Sequence, residues 1–115
     1  MYRLQGIKSV KNHDLIAKLQ AHLKLLYQRA IDADQQLEGL HQQGHGKFSA
    51  ILNQPTLFST QADRFQPYVF ELAEKVSQLE KEMHQDQINL ILRCMQELTL
   101  LLEQFKSMAR TQAQA

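Results

Sequence analysis

The stretch QDQINLILRCMQELTLLLEQF, residues 85–105, decides the fold. Ile91, Leu98 and Phe105 recur every seven residues, close to two helical turns, and form the centre of an apolar face. Ile88, Met95 and Leu102 flank that centre on one side, and Cys94, Leu101 and Met108 on the other. A face this broad is wider than one neighbouring helix covers, so this helix has to touch two others. Asp86 is placed to cap its start.

Both neighbours lie upstream. Val69, Leu72, Val76, Leu79 and Met83 make a second stripe, with Glu71, Glu74, Lys75, Gln78 and Lys81 away from its centre. This predicts a helix that begins near Pro67, whose missing N–H costs nothing in a first turn, and runs to about His84. The short link at His84 and Gln85 predicts that the second and third helices run antiparallel. Further back, Leu15, Leu19, Leu23, Leu26, Ala30, Ala33, Leu37 and Leu40 keep one face apolar in steps of three and four. Asn12 or Asp14 is expected to cap that first helix, and Gly44 to end it in a left-handed conformation, leaving QQGHGKF as a loop. The expected architecture is all-α: an antiparallel three-helix bundle over residues 13–110, with a long packed connector between helices one and two. Residues 1–12 are expected to be a disordered extension and residues 111–115 a frayed end.

Composition agrees with one helical domain. The 115 residues are 43% hydrophobic and 22% charged, with only four glycines and two prolines to interrupt helices. Thirteen basic against twelve acidic residues leave a net charge of +1, too little for a strong electrostatic footprint on nucleic acid. A single cysteine, Cys94, has no partner for an internal disulfide, and the chain shows neither a membrane-length apolar run nor a secretory signal. A cytoplasmic setting is the expectation.

Little in the chain suggests chemistry. The five histidines are scattered without an HExxH arrangement, and Gly44 interrupts the turn between His41 and His45, so no metal or other cofactor is expected. AHLKLL, residues 21–26, invites comparison with a histidine phosphotransfer bundle through His22. Lys24, however, comes one position early, and Leu25 stands where a small residue lets a receiver approach. Cys94 reads as a small core residue, and the carboxylates read as solvated helix exteriors without a nucleophile elbow. The expectation is a protein that is not an enzyme, with a generic helical scaffold as the plainest alternative. Leu25, Leu90 and Leu100 fall off their stripes and would mark a partner surface if exposed.

The segment between Pro55 and Pro67 is more distinctive. LFSTQADRFQ, residues 57–66, followed by residues 71–105, resembles the N-terminal half of the bacterial PriC family, primosomal replication protein N″. Leu57, Phe58, Thr60, Ala62 and the Phe65-Gln66 pair echo the family motif, with Glu71, Leu79, Gln87, Glu97, Leu98, Leu102 and Glu103 in step. LIAKLQAHLKLLYQRA, residues 15–30, is similar to the family's first helix. Pro67 departs from the family's ordinary helix former, and residues 1–9 precede the usual start.

The resemblance implies a monomeric, bacterial, non-enzymatic adaptor in replication restart. Such a factor helps reload the replicative helicase DnaB, delivered with its loader DnaC, onto single-stranded DNA coated by SSB at stalled forks. In the family a basic C-terminal region, which this chain stops short of, carries most of the contact with DNA and SSB. The motif residues Leu57, Phe58, Thr60, Phe65 and Tyr68 then have two readings. They form either a buried connector, whose Leu57-Phe58 pair contributes roughly 3–5 kcal/mol if fully covered, or an exposed aromatic knuckle for the helicase. Arg29, Arg64 and Lys75 are the candidates for DNA contact.

Overall fold

The computed structural model describes the backbone of residues 2–44 and 46–114, and the side chains of residues 13–44 and 50–110. Three α-helices account for most of it: α1 (Tyr2–Gln42), α2 (Gln66–Lys81) and α3 (Gln85–Gln114). A 3-10 helix, Gly46–Asn53, follows α1, and an irregular connector over residues 54–65 leads into α2. Every pair of the three α-helices is in contact, and the 3-10 helix packs on α1 and α3.

The broad face of α3 explains this arrangement. Ile91, Cys94, Leu98 and Phe105 are completely enclosed, and Ile88, Met95, Leu101 and Leu102 are buried beside them. Met108 departs from the expectation, being exposed, while Ala109 takes the buried place at that end of the helix. From α2 come Tyr68, Val69, Leu72, Val76 and Leu79, and from α1 Leu19, Leu26, Ala30, Ala33 and Leu37. Ile51 and Leu52 of the 3-10 helix and Phe58 of the connector complete the same core.

Helix ends differ from the sequence reading in instructive ways. Asn12 and Asp14 lie inside α1 and do not cap it. The expected extension over residues 1–12 and the frayed end over residues 111–115 fall where side chains lie outside the described residues. Gly44 does stop α1: its φ is +86°, a region where a glycine pays little, and its N–H donates to His41 O at 3.1 Å. QQGHGKF is only partly a loop, because the 3-10 helix begins at Gly46. Helix α2 stops at Lys81, short of His84, with Glu82 extended and its N–H bonded to Gln78 O. Asp86 lies in the first turn of α3, which already begins at Gln85. There its carboxylate favours the positive end of the helix dipole.

The start of α2 is held from outside. Pro67 occupies its first turn, and Phe65, the residue before the helix, has no side-chain cap of its own. The buried carboxylate of Asp34 on α1 supplies one: it accepts the N–H groups of Phe65 at 2.6 Å and Gln66 at 3.0 Å. These are the orphan donors that every helix start leaves behind. Farther along the same pair of helices, Gln20 donates to Glu80. The Phe65 ring meets Phe105 of α3 with centroids 5.6 Å apart.

Candidate partner-binding surface

The connector has almost no regular structure, yet its backbone is well satisfied. Each of the three helices contributes one carboxylate to it. Asp34 of α1 takes Phe65 N–H and Gln66 N–H, Glu71 of α2 takes Ser59 N–H at 3.0 Å and Thr60 N–H at 2.6 Å, and Glu97 of α3 takes Leu57 N–H at 2.9 Å. Thr60 also donates its hydroxyl to Glu71, and Tyr68 Oη sits among the backbone groups of Ala62 and Leu52. A charged acceptor makes a stronger hydrogen bond than a neutral one, which compensates for the missing ladder.

Glu71 is the centre of this clasp. Its side chain is only 11% exposed, and Lys75 lies 3.5 Å away at 18% exposure. Burial pushes the Glu71 carboxyl upward. The hydrogen bonds from Thr60 and Ser59, with the Lys75 charge, outweigh it and hold the carboxyl below the usual value.

The structure separates the motif residues. Phe58 is buried and packs edge-on against Tyr68 at 5.2 Å, while Phe65 and Tyr68 are fully enclosed. They are core residues, so of the two readings these three rings fit the buried connector and not the exposed knuckle. Leu57, by contrast, is 47% exposed, so the Leu57-Phe58 pair is split between surface and core. Thr60 is half-buried through its bonds to Glu71.

The candidate cations differ in their partners. Arg64 bonds to Glu38 at 2.8 Å and lies 3.6 Å from Asp63, and the Arg64 hydrogen bond holds the Glu38 carboxyl below its usual value. Lys75 is engaged with Glu71, whereas Arg29 is exposed on α1 beside a cleft bordered by Asp32, Glu103 and Lys106. Two of the three are thus paired with carboxylates of the same chain.

Aromatic surface appears elsewhere. Tyr27 of α1 is 38% exposed and Phe70 of α2 is 53% exposed, and their rings meet across the helix pair with centroids 5.9 Å apart. Leu23, Val69 and Ala73 floor the shallow groove beside them, with Gln20 and Lys24 at its edge. Sequence reasoning missed this pair. The available signal was position: Tyr27 follows the buried Leu26 and Phe70 follows the buried Val69, so each falls off its stripe. Leu25 and Leu100 are exposed as well, whereas Leu90 packs half-buried on the core.

Among the described residues, no three histidine, cysteine or carboxylate side chains come together as a metal site, and no helix is long and apolar enough to cross a membrane. His22 is exposed on α1; His45 lies outside the described residues. No family model, no curated protein and no solved structure matches the chain.

Proposed function

We propose that this chain is the N-terminal domain of a PriC-like replication-restart factor, a bacterial cytoplasmic adaptor that helps reload DnaB, with its loader DnaC, at stalled forks. In this reading the domain is an antiparallel, monomeric bundle without catalysis of its own, and its work is contact with the helicase. DNA and the SSB tail are bound mainly through a basic C-terminal region.

The antiparallel sense is supported by the cross-links between α1 and α2: Gln20 meets Glu80, while Asp34 meets Gln66. The Phe65–Phe105 contact supports the same sense for α2 and α3. The observation that carries the partner-contact reading is the Tyr27–Phe70 pair, two exposed aromatic rings in contact above an apolar groove. Aromatic side chains dominate binding hot spots, and here they are already held against each other by two packed helices. The near-neutral charge and the occupied Arg64 and Lys75 support protein, not DNA, as the partner of this domain.

Binding of the chain to purified DnaB and to labelled single-stranded DNA, side by side at physiological salt, tests the proposal. Saturable helicase binding with little DNA binding is expected, and it should be lost in the Phe70→Ala variant. Absence of helicase binding by the well-folded parent chain would overturn the assignment.

A further inference from the structure

The connector differs from the helices in what holds its backbone. Between Pro55 and Arg64, no backbone-to-backbone hydrogen bond is present among the described residues. Its N–H donors go to side chains: Leu57 to Glu97, Phe58 to Thr56 Oγ1 at 3.2 Å, Ser59 and Thr60 to Glu71, and Ala62 to Tyr68 Oη at 3.2 Å. Lifting this segment therefore breaks none of the helix hydrogen bonds. Leu57, Ser59, Gln61 and Asp63 are already exposed, and Phe58 is its one buried anchor.

The chain's single cysteine lies on α3 within one helical turn of Glu97, the carboxylate that holds Leu57 N–H. Cys94 is fully enclosed on α3, near enough to Lys75, Glu71 and Glu97 to feel their charges, and burial pushes its thiol pKa up. The two carboxylates near it are the same two that grip Leu57, Ser59 and Thr60.

We propose that residues 55–64 form a strap that lifts as a unit while the three helices stay packed, with Glu71 as its latch, opening the Cys94 side of the seam between α2 and α3. Local opening of this kind belongs to segments with few buried contacts and no share in the helical hydrogen-bond ladder. The strap is a conformational device separate from the Tyr27–Phe70 groove and stands independently of the partner assigned to that groove.

Thiol labelling of Cys94 in the native 115-residue chain across a series of urea concentrations tests it. At low urea the labelling rate should depend more weakly on urea, because strap opening exposes much less surface than unfolding the whole bundle, and at high urea it should turn steep as global unfolding takes over. Glu71→Gln should raise the low-urea rate by about tenfold, the effect of weakening one charge-assisted latch. Glu74→Gln, an exposed carboxylate outside the clasp, should leave it unchanged. If Glu71→Gln fails to fold, Thr60→Val, which removes one donor to the latch, should give a smaller increase in the same limb. A labelling rate that follows the steep slope of global unfolding at every urea concentration would overturn the proposal, and that slope does not depend on the thiol's pKa.

Discussion

The two aromatic clusters of this domain have opposite fates. On the connector side, Phe58, Phe65 and Tyr68 are sealed beneath a segment that three carboxylates hold down. On the open side of the α1–α2 pair, Tyr27 and Phe70 touch each other but nothing covers them among the described residues. Both clusters draw on α2, and Val69 and Phe70, adjacent in the chain, point one into the core and the other to solvent. What separates a structural aromatic from an available one here is the presence of a covering strand of chain, a tertiary property.

The comparison breaks most visibly at Phe58. Replacing it with alanine removes the strap's buried anchor and should cost about 3–5 kcal/mol in urea unfolding, the range for emptying a buried aromatic site. A loss below about 1 kcal/mol would show that the connector side is as loosely held as the open side.

Asp34→Ala comes next. It leaves the N–H groups of Phe65 and Gln66 without their acceptor in a buried place, and about 2 kcal/mol of stability should go with it. Asp34→Asn keeps one acceptor oxygen and should lose less. Equal losses in the two variants would show that charge matters more at this cap than the acceptor itself.

Acid should loosen the connector side selectively. Because the Glu71 carboxyl is held below its ordinary value in the folded chain, its contribution is complete above the ordinary carboxylate range. As pH falls through that range, the unfolded chain takes up the proton first and stability declines. The contribution is gone once pH drops below the folded value. Urea unfolding between neutral and acid pH should show this decline, reduced in Glu71→Gln.

The smallest effect on stability belongs to the open side. Tyr27→Ala and Phe70→Ala should each cost at most about 1 kcal/mol, because the rings are already partly in water. Under the proposed function, helicase binding should weaken far more than folding does.

The bundle's framework was legible because it rests on periodicity. Ile91, Leu98 and Phe105, the centre of the α3 face, are enclosed, and the α2 stripe from Val69 to Leu79 is buried. The clasp was not legible. Asp34, Glu71 and Glu97 occupy helix faces like those of solvated carboxylates, and only the path of the connector makes them acceptors for backbone donors. Leu57 and Phe58 were read as a pair, but consecutive residues in an irregular segment need not face the same way, and these two part company. The exposed rings of Tyr27 and Phe70 were overlooked because each sits beside a core residue and was absorbed into its helix.

The most direct test of this division is to measure urea stability and DnaB affinity together in Phe58→Leu and Phe70→Ala. Under the proposed function, Phe58→Leu should lose stability yet bind the helicase normally under conditions where it is folded, and Phe70→Ala should keep its stability and bind at least about tenfold more weakly. The opposite pairing, with binding lost at Phe58 and retained at Phe70, would contradict it.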